Sequence, residues 1–287
     1  MTCFLITTDH LETHVWFRDE DDFKVGMNYV ASVSFSLGIC VLAFILMSNH
    51  VHFILACSED EAARFITEFK RVYSRYLNTK YGTQELLRRN DIDIRLLPPG
   101  TESIERAIAY VQMNCVAANI CSHPAEYPWG TGRTFFQVEA PKGQLLGTMS
   151  ARSRFKCLHS KVELPSGWML TDGYICPRSY VKVDIVEELF RTPKRMNYFL
   201  RNSSKARLAM ASWADTNLPS FQDRVIIAGI PDLCHSLFGK WAIMDLNEEE
   251  RKEIVSQIKR RFSADVAQIA RTTGISYQEV ARLLESF

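Results

Sequence analysis

The stretch VLAFILMSNHVHFILAC, Val41 to Cys57, decides how the rest of the chain is read. Two apolar runs of strand-like composition flank Met47-Ser48-Asn49, a short polar break that reads as a hairpin turn. His50 and His52 follow the turn directly. Side chains alternate faces along a strand, so both imidazoles point one way and Val51 points to the opposite, buried face. Two imidazoles one pleat apart on a rigid hairpin can hold a divalent metal through their unprotonated nitrogens. A bare His-x-His is more often a pair of partly buried, hydrogen-bonded histidines, so the surroundings must supply the chemistry.

Working outward, Thr2 to Thr8 is a β-branched and aromatic run that reads as a first strand. His10 and His14 follow it in a polar loop. Asp19 to Leu37 opens acidic, as a helix start should, and carries Phe23, Met27, Val30, Ala31 and Ser34 at helical spacing. After the hairpin, Ser58 caps a helix with Glu59, Asp60 and Glu61 in its first turn. That helix runs to about Tyr81 and stops at Gly82. Its apolar stripe includes Phe65, Phe69, Tyr73 and Leu77, and Arg64, Lys70, Arg71, Arg75 and Lys80 occupy the remainder. A basic face of this kind is usually solvated, but it can also track a phosphate backbone.

A linker from Thr83 to Asn90 leads to an alternating strand, Asp91 to Leu97, broken by Pro98-Pro99-Gly100. Thr101 then caps a helix through Ile120 whose buried stripe is Ile104, Ala107, Ile108, Val111 and Cys115. Tyr110 and Asn114 lie one turn apart on the shoulder of that stripe. The order strand, helix, strand–turn–strand, helix, strand, helix fits an α+β, ferredoxin-like split β-α-β domain: an antiparallel sheet with helices on one or both faces.

Composition narrows the classes. The 287 residues are 47% hydrophobic, enough for one large or two modest domains, and the formal net charge is only +1. No global field announces a polyanionic partner, so any nucleic-acid surface must be a local patch. The eight cysteines are scattered without a C-x-x-C pair, which suits reduced, mostly buried thiols. No basic and apolar leader opens the chain, and the run Ile39 to Leu46 is too short to span a bilayer. The expectation is a soluble cytoplasmic protein without membrane association.

Taken together, Met47-Ser-Asn-His-Val-His-Phe53, Phe69-Lys-Arg-x-Tyr73 and Tyr110-Val-Gln-Met-Asn114-Cys-Val116 resemble the single-tyrosine HUH transposases, nearest to the REP-associated tyrosine transposases. Trp16-Phe-Arg-Asp-Glu-Asp-Asp-Phe23 and Glu126-Tyr-Pro-Trp129 extend the resemblance over about Cys3 to Phe136. Ser48 and Cys115 stand where the family commonly has proline, and its Gly-rich segment is replaced by Thr83 to Arg89. The resemblance implies His50, His52 and Asn114 as ligands of Mg2+ or Mn2+ and Tyr110 as the nucleophile. It implies single-stranded DNA beside a hairpin as substrate, and leaves open whether the tyrosine acts within one chain or across a homodimer. The chemistry is coherent. Free tyrosine, with a pKa of about 10, is a poor nucleophile at neutral pH. A cation polarising the phosphate and stabilising the leaving 3′ oxygen makes the attack feasible. Tyr73, Tyr76 and Tyr81 are competing tyrosines on a packed, basic-faced helix.

Beyond about Val138 the resemblance stops. From Glu139 to Asp215 thirteen Lys and Arg face seven Asp and Glu, leaving +6. Phe155, Trp168, Tyr174, Tyr180, Tyr198 and Phe199 are interleaved; they could stack on bases or fill a core. Asn247 and Glu248 to Glu250 start a helix ending in Lys259-Arg260-Arg261. Two short helices around Gly274 and Ile275 then read as a helix-turn-helix, with Ser276, Tyr277, Gln278 and Arg282 toward a groove.

The organisation expected is a catalytic domain over 1–137, a basic accessory region over 138–245 and a mainly helical DNA-binding module over 246–287. The DNA-contacting set is Arg64, Lys70, Arg71, Arg75, Lys259, Arg260, Arg261, Ser276, Tyr277, Gln278 and Arg282. The function expected is a metal-dependent single-stranded DNA endonuclease and strand transferase working through a 5′-phosphotyrosine. The rivals are a catalytically inactive, domesticated DNA-binding regulator and an unrelated metallohydrolase using the two histidines.

Overall fold

The Val41–Cys57 stretch forms its hairpin: β2 (Cys40–Met47) and β3 (His50–Ala56) pair antiparallel around Ser48-Asn49, with Met47 opposite His50. The computed structural model describes residues 1–8, 15–82, 92–118, 120–203, 223–262, 264 and 266–285, without the side chains at 224, 225, 260 and 285. His10, His14, the expected linker Thr83 to Asn90 and the side chain of Arg260 lie outside the described residues.

β1 (Cys3–Thr8) lies beside β3, and β4 (Ile92–Leu96) lies beside β1, giving the antiparallel order β2-β3-β1-β4. With α1 (Glu20–Leu37) and α2 (Glu59–Tyr81) between these strands, the topology is β-α-β-β-α-β, the ferredoxin-like arrangement. Each helix ends as its sequence dictates. Asp19 accepts from the Asp22 amide at the start of α1, and Ser58 with Glu61 forms a capping box at the start of α2. Gly38 and Gly82 close them at φ 67° and 66°, backbone that side chains rarely tolerate. α3 (Thr101–Ala117) begins one residue earlier and ends earlier than expected: Gly100 is the N-cap, and Thr101 makes no cap.

The two faces of the sheet are covered by different helices. Phe53 of β3 packs edge-on against Phe65 and Phe69 of α2, whereas its neighbour His52 packs against Tyr110 of α3. Alternation along β3 therefore puts α2 on one face and α3 on the other. α1 lies with α2, its Tyr29 ring edge-on to Tyr73. The outer edge of β2 is covered by the chain after α3. Leu46 donates to the Trp129 carbonyl and Thr131 to that of Phe44, and a Cβ at Gly130 would fall 2.7 Å from the Phe44 oxygen.

The region after 137 does not stand apart from this core. β5 (Gln144–Leu145), β6 (Met169–Thr171) and β7 (Tyr174–Ile175) make a small sheet, joined by α4 (Ala151–Leu158), α5 (Val183–Phe190) and α6 (Pro193–Arg201). One continuous hydrophobic core runs from Cys3 to Leu200. Asn28 of α1 stitches the layers: its amide donates to the Cys157 and Gly173 carbonyls and accepts from the Ile175 amide. Tyr174, Tyr180 and Phe199 are buried in that core and cannot stack on bases, whereas Phe155 and Tyr198 remain exposed.

A second core joins α7 (Asp223–Phe238), α8 (Glu248–Phe262), α9 (Val266–Thr273) and α10 (Tyr277–Glu285) through Ile226, Ile254, Ile258, Ile269 and Val280. No helix among the described residues is long and apolar enough to cross a membrane.

Candidate active site

The pairing of β3 places Thr7 opposite His52 on one side and Ile45 on the other, so the histidines sit in the middle of the sheet. Their rings meet edge to face with centroids 4.9 Å apart. Tyr110 arrives from α3, its ring edge-on to His52 at 5.7 Å. The phenol chosen from the sequence thus stands beside the imidazoles. Tyr73, Tyr76 and Tyr81 do not: they lie on α2, across the sheet. Tyr73 donates to the Trp16 carbonyl, and Tyr76 and Tyr81 donate to Asp22. Burial, with the nearby Asp22 charge, pushes all three phenols above their usual range.

Val51 lies on the buried face expected of it, and the opposite face, which carries the histidines, is covered as well. His50 is 4% exposed and His52 1%, because α3 lies over them. Tyr110 and Asn114 are half-buried on that helix.

The donor set suits a divalent cation. The His50 Nδ1 meets Asn49 Oδ1 at 2.7 Å and the His52 Nδ1 meets Thr7 Oγ1 at 3.0 Å. Both Nδ1 atoms are thereby held by neighbours, the arrangement in which Nε2 serves as a ligand. Asn114 donates its amide nitrogen to the Tyr110 and Val111 carbonyls of its own helix at 2.9 and 3.3 Å, so its Oδ1 is the end left for an acceptor role. Two imidazoles and an amide oxygen match manganese, and magnesium by abundance. No group of three or more His, Cys, Asp or Glu that could hold a metal occurs among the described residues, so the amide would be needed as the third ligand.

The residues expected to touch DNA are scattered. Arg64, Arg71 and Arg75 are exposed on α2, on the face opposite the histidines, and Arg71 is held by Glu68. Lys70 is buried. Arg261 is also buried, bonded to Gln257 and facing Asp19, Asp22 and Tyr81, and burial pulls its guanidinium below its usual range. Lys259 lies beside it on a cavity of about 400 Å³ between α8 and the Cys121–Trp129 segment. These two bases face the rest of the protein.

Ser276, Tyr277, Gln278 and Arg282 are exposed. Gly274, at φ 73°, turns the chain between α9 and α10, and Ser276 caps α10 through the Glu279 amide. Arg282 pairs with Glu248 at 2.8 Å. Sequence reading passed over the position of α6: it packs on α3 through the Arg195–Glu105 bidentate pair and leaves Lys194, Tyr198 and Arg201 exposed on the tyrosine-bearing side. Those residues stood out only as a basic, aromatic stretch, because their partner helix is distant in sequence.

No family model matches the sequence, and no curated protein matches it. Among solved structures, a REP-associated tyrosine transposase bound to a REP hairpin aligns with 46% of this chain and 77% of that one, at 9% identity and a TM-score of 0.36. A likeness that faint establishes neither family nor activity.

Proposed function

We propose that the chain is a metal-dependent single-stranded DNA endonuclease and strand transferase, transposase-like, acting beside DNA hairpins. The observation that supports it is the placement of the Tyr110 ring against His52, next to His50. A phenol and paired imidazoles brought together from a helix and a strand form the minimum apparatus for phosphodiester transesterification.

His50, His52 and Asn114 would hold Mn2+ or Mg2+, which when bound neutralises charge on the scissile phosphate and on the departing oxygen. The Tyr110 oxygen attacks phosphorus as the phenolic proton leaves. The bond from phosphorus to the 3′ oxygen breaks, and that oxygen takes up a proton. The products are a 5′-phosphotyrosine on α3 and a free 3′-OH. Attack by a second 3′-OH on the same phosphorus reverses the step and joins strands. Because α3 covers the histidines, the strand enters when this helix shifts outward, and the exposed bases of α6 lie beside its path. The C-terminal helices supply DNA affinity away from the chemistry.

The same burial favours a second reading, a DNA-binding regulator that keeps this fold without cutting. Incubation of the protein with hairpin-bearing single-stranded DNA and Mn2+, followed by a denaturing gel, separates the two. Cleaved DNA with protein attached, lost in Tyr110→Phe and His52→Ala, supports the enzyme. Binding in a native gel with no cleavage by the wild type supports the regulator.

A further inference from the structure

We infer that Asn49 is a positioning residue that sets the tautomer of His50, so that Nε2 carries the lone pair offered to a cation. The inference rests on the proposed metal role of the histidines. Asn49 occupies the second position of the β2–β3 turn and is itself buried, as is His50. Its side-chain oxygen lies 2.7 Å from His50 Nδ1. An amide oxygen only accepts hydrogen bonds, so with the Asn49 amide oriented this way the proton sits on Nδ1. A neutral imidazole has one N–H, and fixing it on Nδ1 makes Nε2 the basic nitrogen.

The contrast with His52 sharpens the assignment. Its Nδ1 faces the hydroxyl of Thr7, directly across the β1–β3 pair. A hydroxyl can donate or accept, so Thr7 adapts to either tautomer and fixes neither. Asn49 therefore sets one ligand in advance, and Thr7 follows when the second is engaged.

Placement in the turn explains how the oxygen is held. The Ser48 carbonyl accepts from the amides of Trp16 and Phe17 at 2.7 and 3.1 Å, which pins the turn from outside. Partners that orient metal-binding histidines typically change metal affinity by about 10–100-fold when removed.

The test uses full-length protein labelled with 15N-histidine. In the metal-free wild type, long-range 1H–15N correlation should show His50 as the Nδ1–H tautomer. Mn2+ titration followed by electron paramagnetic resonance should then give a dissociation constant raised about 10–100-fold in Asn49→Ala and kept within a few-fold in Asn49→Asp, which retains the acceptor. An Nε2–H tautomer in the wild type, or Asn49→Ala binding Mn2+ as tightly as wild type, overturns the inference. If Asn49→Ala fails to fold, the wild-type spectrum still decides. Failure of the metal reading looks different: Mn2+ binding indifferent to His50→Ala and His52→Ala.

Discussion

Tyr110 stands edge-on to His52, with ring centroids 5.7 Å apart and planes at 78°, although one residue comes from the helix covering the sheet and the other from the strand beneath it. No tyrosine on α2 shares this relation. The sheet lies between them and the imidazoles, and their hydroxyls are committed to Trp16, Asp19 and Asp22. This separation yields a clean contrast. Tyr76→Phe removes a hydrogen bond to a buried carboxylate, so it should lower stability by about 1–2 kcal/mol in a urea melt while leaving DNA cleavage intact. Cleavage lost in Tyr76→Phe at full folding would place the nucleophile on the wrong face.

A cation held by folded-state ligands stabilises the fold by mass action. At a hundredfold excess over its dissociation constant the gain is about 2.7 kcal/mol. Mn2+ should therefore raise the melting temperature of the wild type by about 5 °C and leave a His50→Ala, His52→Ala double variant unmoved. Chelation with EDTA should abolish cleavage and return the melting temperature to its metal-free value. Equal shifts in both proteins would mean that the ion binds elsewhere.

The cysteines offer an independent check on packing around α3. The neighbouring Cys115 and Cys121 thiols act on each other, which pulls Cys121 below its usual range and, together with burial, pushes Cys115 up, while the Cys115 Sγ donates to the Gln112 carbonyl at 3.3 Å. Burial raises Cys3, Cys57, Cys176 and Cys234. Iodoacetamide at neutral pH should therefore label Cys121 ahead of those five cysteines, read by peptide mass mapping. Cys115 reacting first would show that the end of α3 is packed differently.

The C-terminal helices should act on DNA without touching the chemistry. Arg282→Ala removes an exposed guanidinium from α10 and should weaken duplex binding, lowering the slope of log affinity against log salt by about 1. Cleavage per bound strand should stay unchanged. Unaltered binding and slope would make α9 and α10 a packing module.

Much of the fold was legible because its signals are local. The Ser58–Glu61 capping box, the glycines that end α1 and α2, and the polar break between two apolar runs each specify structure within a few residues. Element order then gave the β-α-β-β-α-β topology, and the period of α3 put Tyr110 and Asn114 one turn apart. What escaped depends on partners far along the chain. Periodicity marks the apolar side of an element but not which other element will cover its polar side. Hence the cover of α3 over His50 and His52, the burial of Asn28 under β7, and the inward turn of Arg261 had no local sign. Lys80 belongs with them: its place on a basic helix face read as solvated, yet it bridges Asp19 and Asp22 at 2.6 and 2.8 Å.

The most direct measurement is to digest the covalent protein–DNA product, formed with Mn2+ and hairpin-bearing single-stranded DNA, and locate the nucleotide by mass spectrometry. The peptide containing Tyr110 should carry a 5′-phosphate ester, and the released strand a free 3′-OH. A nucleotide on any other residue, or a wild-type protein that binds such DNA and never forms a covalent product, would contradict this mechanism.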